Sequence, residues 1–213
     1  MARISLWLEG AHHPFEEIHE WQRSFLESLG HEVIAPSIQE LLSSAPPKCD
    51  LWILGGLVYS GMGEGYQPLT DDEAKRLAER VSSDQPLLSL HSVIGSWDER
   101  QELDEVWDGR WDWSISRHSP VEPFKVHVER PDHPLTKGLS DFTVTDELYY
   151  NLRPPQNSEV VLTAEYEGAR WPLAWTSGRH IYFGLGHDLR SWENPATQQF
   201  FQSSVPVQDG GAY

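Results

Sequence analysis

The chain has 213 residues, and 33 acidic against 16 basic side chains give it a formal net charge of -17 at pH 7. This length fits one domain with a sizeable core, and a hydrophobic fraction of 38% that includes 10 Trp excludes general disorder. Because so negative a protein repels phosphate groups, the charge excludes nucleic acids and anionic membrane surfaces as partners. We predict a single domain over residues 1–207 and a flexible tail over residues 208–213.

The cysteine count and the hydropathy indicate in which part of the cell the protein is expected. Cys49 is the only cysteine, so the chain can form neither an intrachain disulfide nor a thiolate cluster for structural zinc. No stretch approaches the roughly 20 apolar residues that cross a bilayer, and the first residues lack the apolar region of a secretion signal. We therefore expect a cytoplasmic protein. Because Cys49 has no partner cysteine, we also expect Cys49→Ser to leave activity and ligand binding intact.

The first half alternates between short apolar strands and amphipathic helices. Strands are predicted over residues 4–8, 31–35, 50–54 and 86–90, and helices over residues 15–29, 38–42 and 70–81. Gly30 is a typical helix stop, and Thr70 with Glu73 forms the capping box that begins the third helix. Four strands that alternate with helices predict an α/β fold with a doubly wound, mostly parallel, flavodoxin-like sheet flanked by helices.

The pattern changes after about residue 108, where helical periodicity fades and alternating stretches dominate. Strands are predicted over residues 124–129, 160–166, 173–175 and 180–183, and the Ser177-Gly178 turn joins the last two as a hairpin. A helix near residues 195–203 ends the domain. The sequence thus predicts an antiparallel extension of the sheet in the second half.

Histidines occur where predicted strands end. His91 follows the fourth strand at a strand-to-helix turn, and His187 follows the strand over residues 180–183 after two glycines that allow a tight turn. Ligands of open α/β sheets collect at the carboxyl ends of the strands, so we expect His91 and His187 to face one crevice. His12 and His13 follow the first strand, and either could join them. The alternatives are a structural or surface histidine, an ordinary turn and a simple helix entry.

Aromatic and polar side chains lie close together between the two halves. Trp97, Arg100 and His118 belong to a stretch that also contains Trp107, Trp111, Trp113, Arg110 and Arg117. Aromatic faces beside polar groups are typical of sugar-binding sites, and indoles that only cover the edge of the sheet are the alternative. Glu147 and Tyr149, in the segment DELYY, give a weaker pattern because acidic pairs before aromatics also mark strand ends.

The motifs, taken in order, resemble those of the ThuA-like (trehalose utilisation) family over nearly the whole chain. They are HHPFE, GLVYSG, LLSLHSVIG, HSPVEPFKVHVERPDHPLTKGL, DFTVTDELYYNL, PLAWTSGRHIYFGLGHD and ENPA. The most specific parts are PDHPLTKGL followed by DELYY, and GRHIYFGLGHD. The resemblance implies a class I glutamine amidotransferase-like fold and a link to the catabolism of trehalose, related sugars or their keto derivatives.

That fold ordinarily carries a nucleophilic cysteine at the tight turn, called the elbow, that follows the strand predicted here over residues 86–90. Here the elbow residue is His91, and Cys49 lies before the third strand, too early to take the place of the nucleophile. The Cys-His-acid chemistry of amide transfer therefore lacks its thiol, and glutamine amidotransfer is not expected.

Two classes of function remain open. The first is a carbohydrate-processing hydrolase, lyase or isomerase with His91, His187 and Glu147 as acid/base groups. It would bind a small-molecule carbohydrate through His13, Trp97, Arg100, His118, Tyr149 and Asp188. A divalent metal such as zinc would be held by His13, His91 and His187, although the sequence contains no tight ligand spacing such as HExxH. The second is a non-catalytic sugar-binding or regulatory module, and exposed edge strands would also allow a homo-oligomer.

The elbow position also predicts how the protein responds to loss of the His91 side chain. An elbow side chain that projects into the crevice contributes little packing, so we expect His91→Ala to cost at most about 1 kcal/mol of stability while abolishing turnover or metal loading. A buried, hydrogen-bonded histidine would instead cost about 2–4 kcal/mol.

Overall fold

Eleven strands and six α-helices lie within residues 1–81 and 85–205, the residues that this computed structural model describes. The strands are β1 Arg3–Trp7, β2 Glu32–Ile34, β3 Leu51–Leu54, β4 Leu87–Leu90, β5 Arg117–His118, β6 Glu122–Val128, β7 Phe142–Asp146, β8 Tyr149–Tyr150, β9 Glu159–Tyr166, β10 Ala169–Ser177 and β11 His180–Phe183. The α-helices are α1 Phe15–Ser28, α2 Ile38–Leu41, α3 Asp71–Val81, α4 Asp104–Trp107, α5 Leu189–Trp192 and α6 Pro195–Ser203. The predicted tail, residues 208–213, lies outside the described residues, as does the predicted end of the domain.

Nine of the strands form one sheet in the order β2-β1-β3-β4-β11-β10-β9-β6-β7, and β5 pairs with β8 in a separate ribbon. The pairings from β2 to β11 are parallel, and those from β11 to β7 are antiparallel. Helices return the chain between successive parallel strands, whereas the second half uses turns such as Ser177-Gly178, where Gly178 has a φ of 71°. The predicted α/β sheet with an antiparallel extension is confirmed.

The last strand of the described residues, β11, lies in the middle of this sheet. β11 forms a hairpin with β10, yet its other neighbour is β4, to which it pairs in parallel from His180 opposite Leu87 to Phe183 opposite Leu90. Because β4 and β11 end side by side, the residues that follow them leave the sheet at the same edge.

Apolar clusters cover both faces of the central strands. Every residue of β3 and β4 is buried, as is usual for parallel strands with helices on both sides. Successive side chains alternate between the faces, so Leu87 packs in one cluster and Leu88 in the other. Helices α1 and α6 cover the face of Leu88, and helix α3 covers the face of Leu87.

Local capping groups set the helix boundaries that the sequence predicts. The Thr70 hydroxyl accepts the Glu73 N–H at 3.3 Å, and the Glu73 carboxylate accepts the Thr70 N–H at 2.9 Å, which is the predicted capping box. Gly30 follows helix α1 with a φ of 85°, a conformation that costs glycine least. Within the described residues, no helix has the length and hydropathy that a bilayer crossing requires.

His180 makes the stability of this core depend on pH. The side chain is buried beside Ser89, with Nε2 3.0 Å from the hydroxyl, and burial lowers the pKa of His180 to about 4. Above pH 6.5 the His180 ring is neutral in both the folded and the unfolded chain, but between pH 6.5 and 4 only the unfolded chain binds the proton. We therefore expect the free energy of unfolding to fall over that range, by about 3 kcal/mol from this group.

The comparison with His180→Gln tests this expectation, because glutamine does not titrate. Urea unfolding at pH 7, 6, 5 and 4 should give a shallower pH dependence for the variant than for the wild type. Parallel curves would mean that His180 does not control the acid sensitivity.

Candidate functional site

Four side chains from distant parts of the sequence meet at the carboxyl edge of the sheet. His13 follows β1, His91 follows β4, Glu147 follows β7 and His187 follows β11. One side-chain ligand atom from each of these four residues lies within 4.8 Å of the others. The four residues are called the histidine cluster below.

The three imidazole rings of the cluster are in mutual contact. The ring centroids are 4.8 Å apart for His13 and His187, 5.1 Å for His13 and His91, and 5.8 Å for His91 and His187. Glu147 lies against two of them, with Oε2 3.3 Å from His187 Nδ1 and 3.5 Å from His91 Nε2. His91 and His187 therefore share one site, as the common edge of β4 and β11 predicts.

His91 occupies a tight elbow and is buried, with only 3% of its surface exposed. Its φ of 40° is a left-handed conformation that is rare outside glycine and is often found at functional sites. The ring donates from Nδ1 to the Gly184 carbonyl at 2.8 Å, and Tyr149 packs on it with centroids 4.3 Å apart. The expectation of a loosely packed elbow side chain is therefore wrong, because the ring is buried against Tyr149 and bonded to the chain that follows β11.

His13 is held by an unusual approach of its loop to the chain after β3. The Gly10 backbone bridges to Leu57, and a Cβ at Gly10 would lie 2.0 Å from the Leu57 carbonyl oxygen, so only glycine fits. The Ala11 carbonyl then accepts a hydrogen bond from His13 Nδ1 at 2.9 Å. This bond leaves Nε2 of His13 as the ring nitrogen with a free lone pair.

The charges within the cluster differ from residue to residue. Burial, and then the neighbouring charge on His91, lower the pKa of His13 to about 3, so this ring is neutral. Burial acts in the same direction on His91, but its contact with the Glu147 carboxylate and the charge on Asp146 raise its pKa. The pKa of Glu147 is well below its usual range because the contacts with His187 and His91 outweigh burial. Glu147 is therefore ionised at neutral pH.

Two side chains orient Glu147 from outside the cluster. His118 Nδ1 lies 2.7 Å from Oε1, so that the other carboxylate oxygen faces His91 and His187. Asp146 is completely enclosed and accepts the backbone N–H groups of Glu147 at 2.8 Å, Gly186 at 2.7 Å and His187 at 3.1 Å. Asp146 thus ties the loops after β7 and β11 together. Sequence reasoning missed this role, and the only available signal was the acidic pair at a strand end.

The donor set of the cluster fits a divalent metal. His91 Nε2 and His187 Nδ1 are both buried without a hydrogen-bond partner. Their separations of 3.5 and 3.3 Å from Glu147 Oε2 are longer than good N–H···O bonds. A tetrahedron with metal–ligand bonds of about 2.0–2.1 Å has edges of about 3.3 Å, which is close to these separations. Imidazole nitrogens with a carboxylate are typical zinc ligands.

A cavity of about 300 Å³ opens over the cluster. Its walls include Tyr149, Trp111, His118, Tyr59 and Trp113. The Tyr149 hydroxyl is 3.5 Å from His13 Nε2, and burial raises the pKa of Tyr149 well above its usual value. This hydroxyl therefore stays protonated and is available as a hydrogen-bond donor to a ligand.

Two residues predicted to bind ligand lie away from this cavity. Trp97 is 1% exposed and stacks on Trp7 with centroids 5.6 Å apart, so it belongs to the core. Arg100 forms an ion pair with Asp71 at 2.6 Å, which joins its loop to the start of helix α3. Both have non-local partners that a single sequence does not indicate.

Asp188 is also absent from the cavity wall. Its carboxylate accepts the Arg190 N–H at 2.9 Å and caps helix α5, a function that an Asp before a short helix could have predicted. Tyr59, Trp111 and Trp113 are cavity residues instead. Cys49 precedes β3, at the opposite edge of the sheet from the cluster.

Comparisons with solved structures identify similar folds. The chain is similar to a ThuA-like protein from Parabacteroides merdae, with a TM-score of 0.77, 16% identity and coverage of 95% of this chain and 88% of that chain. A ThuA-like protein from Bacteroides uniformis gives a TM-score of 0.70 at the same identity and coverage. A glutamine amidotransferase from Thermotoga maritima gives 0.58, with 9% identity and coverage of 95% of both chains. At identities this low, the structural similarity establishes the class I glutamine amidotransferase-like fold and nothing more.

The sequence itself provides the family assignment. Among curated proteins, none matches significantly. The sequence profile of the ThuA family, described as trehalose utilisation, matches residues 55–205, which is more than half of the chain and includes Glu147, His91 and His187. This chain therefore belongs to the ThuA family.

Proposed function

We propose that the chain is a divalent-metal-dependent enzyme of carbohydrate catabolism, a hydrolase, lyase or isomerase that acts on a small sugar. The observation that carries this proposal is the convergence of His13, His91, Glu147 and His187, of which His13, Glu147 and His187 line one cavity. Membership of a family described by trehalose utilisation supports a carbohydrate as the substrate class.

The proposal gives each residue of the cluster a role. His91 Nε2, His187 Nδ1, Glu147 Oε2 and the free nitrogen of His13 would hold the ion, with zinc as the metal that suits this donor set. A bound divalent ion would polarise a sugar oxygen or activate a water molecule. His118 would keep the Glu147 carboxylate oriented, as the residues behind metal ligands generally do.

Tyr149 would act on the substrate rather than on the ion. Its hydroxyl stays protonated and points toward the cluster, 3.5 Å from His13 Nε2. A sugar hydroxyl or carbonyl above the cluster would accept a hydrogen bond from it. The Tyr149 ring, packed on His91 and edge-on to Trp111, would also exclude water from one side of the ligand.

A non-catalytic sugar-binding or regulatory module is the second candidate. The observation that favours it is the aromatic character of the cavity wall, since aromatic faces suffice to bind sugar rings without chemistry. Turnover separates the two candidates. A protein that binds sugars and zinc but converts none of the sugars tested would be the binding module.

Metal titration tests the first proposal. Protein freed of metal by a chelator should bind one Zn²⁺ per chain in isothermal titration calorimetry, and His13→Ala should weaken that binding by at least about 100-fold. His127→Gln is the matched control, because His127 also lies beside carboxylates, 2.8 Å from Asp141 and 2.9 Å from Glu165, but on the antiparallel half of the sheet. Equal weakening by both variants, or no zinc binding at all, would refute the metal site.

We also propose that the chain is a single cytoplasmic domain over residues 1–207, that it can form a homo-oligomer, and that it binds neither nucleic acids nor membranes. The charge of -17 remains the physical reason for the last of these proposals.

A further inference from the structure

We propose that Asp146 is a positioning residue of the candidate metal site, which fixes where the ligands Glu147 and His187 lie relative to each other. Because Glu147 and His187 are taken as two of the metal ligands, this role rests on the proposed function. It goes beyond a structural link between two loops, since it predicts that Asp146 controls the affinity for the metal without being one of its ligands.

The two ligands leave the sheet from strands that are not neighbours. Glu147 follows β7 and His187 follows β11, and β10, β9 and β6 lie between these strands in the sheet. Four successive antiparallel pairings bring the carboxyl ends of β7 and β11 to the same edge. Neighbouring strands lie about 4.8 Å apart, so the four intervals separate these two ends by about 19 Å. The chain segments that follow the two strands must therefore be held toward each other before Glu147 and His187 can share an ion.

Hydrogen bonds to Asp146 make this connection. Asp146 ends β7, and only 1% of its surface is exposed. Its Oδ1 atom accepts the N–H of Glu147 at 2.8 Å and that of His187 at 3.1 Å, so one atom joins the backbones of both ligands. Its Oδ2 atom accepts the Gly186 N–H at 2.7 Å. Both carboxylate oxygens are thus used to hold main-chain N–H groups at the site.

The turn before His187 fits this contact closely. Gly186 has a φ of 124°, and a Cβ at this position would lie 2.6 Å from the Trp192 ring, so only glycine fits. The Gly186 carbonyl accepts a hydrogen bond from Trp192 Nε1 at 3.3 Å, while the Gly186 N–H donates to Asp146. Because Gly186 is held on both sides, a shift of His187 would break one of these bonds.

Asp146→Asn tests this arrangement, because asparagine keeps the size of the side chain and replaces one acceptor oxygen by an NH₂ donor. In either orientation of the amide, at least one of the N–H groups that Asp146 now accepts would face a donor. The loop after β11 should then shift relative to β7. Residues that orient metal ligands typically contribute about 10- to 100-fold to metal affinity, so calorimetric titration should show Zn²⁺ binding weakened by about that factor.

Asp141→Asn is the matched control, because Asp141 directly precedes the same strand at its other end and does not line the cavity. Its carboxylate likewise accepts a backbone N–H, that of Val128 at 3.0 Å, and lies 2.8 Å from His127 Nδ1. Both variants lose an acceptor oxygen and should unfold at a lower urea concentration than the wild type. Only Asp146→Asn should lose zinc affinity, whereas Asp141→Asn should stay within about twofold of the wild type.

Cobalt gives a measurement that a loss of stability alone would not change. Co²⁺ binds the same kinds of nitrogen and oxygen ligands as Zn²⁺, and its visible absorption depends on the geometry of those ligands. The cobalt spectra of the wild type and Asp141→Asn should coincide, and that of Asp146→Asn should differ from both. Coincidence of all three spectra would overturn the positioning role, and so would equal weakening of zinc binding by both variants. An unchanged zinc affinity of folded Asp146→Asn would overturn it as well.

Amide hydrogen exchange tests the positioning role without a metal. The N–H groups of Gly186 and His187 donate to a buried carboxylate, so in the metal-free wild type they should exchange at least about tenfold more slowly than in Asp146→Asn. Fast exchange of both groups in the wild type would overturn the inference, even if the variant does not fold. If the wild type bound no zinc, slow exchange that depends on Asp146 would support the positioning role and refute the metal site.

Discussion

His91→Ala is expected to abolish zinc binding and to lower the free energy of unfolding by about 2–4 kcal/mol. The truncation removes a proposed metal ligand and leaves a void under Tyr149, since the His91 ring is buried against it. It also leaves the Gly184 carbonyl without the donor that now lies 2.8 Å away. Urea unfolding in the absence of metal, followed by zinc titration of the folded variant, measures the two effects separately.

His91→Asn distinguishes packing from backbone strain in this experiment. Asparagine tolerates the left-handed conformation at a φ of 40° better than alanine does, and it fills part of the void. It should therefore be more stable than His91→Ala while still failing to bind zinc tightly. If His91→Ala unfolds at the same urea concentration as the wild type, the side chain does not support the fold.

Glu147→Gln is expected to weaken zinc binding by at least about 100-fold while the protein stays folded at pH 7. The amide keeps the shape of the side chain and the contact with His118, but it removes the negative charge that faces His91 and His187. Calorimetric titration with Zn²⁺ measures the loss. Glu129→Gln is the control, because Glu129 pairs with Arg170 at 3.1 Å, outside the cavity.

The same variant should change the response of the protein to acid. The pKa of Glu147 is lower in the folded state than its ordinary value of 4.5, so its ionised form stabilises the fold above that pH, and this contribution is lost as the pH falls. Unfolding measured between pH 5 and 3 should therefore depend less on pH in Glu147→Gln than in the wild type. An unchanged slope would show that the carboxylate is not held by the histidines.

Elements that depend on local signals were predictable from the sequence. Helix α6 begins at Pro195 and ends at Ser203, as the sequence predicts, and the Thr70 capping box and the turn before β11 are equally local. The meeting of His91 and His187 was also predictable, because the carboxyl ends of parallel strands share one edge of the sheet.

Features that depend on non-local packing were not predictable. The burial of Trp97 requires its partner Trp7 from the first strand, and the ion pair of Arg100 requires Asp71. No pattern in one sequence indicates such pairs. The function of Asp146 as an acceptor for the backbone after β11 is a further example. Its hydrogen-bond donors are main-chain N–H groups, which do not depend on the residue type and so give no sequence pattern.

The central position of β11 has a consequence for synthesis of the chain on the ribosome. Residues 180–183 are made after all the other described strands of the sheet, yet they join its parallel half to its antiparallel half. Until they emerge, the apolar edge of β4 has no partner on that side, and the nascent chain must avoid pairing it with another molecule. His187 lies four residues after β11 ends, so the proposed metal site would be complete only after all the described strands of the sheet have been made. Zinc uptake would then report that the sheet is complete, and chains that stall before His187 would fail to take up zinc.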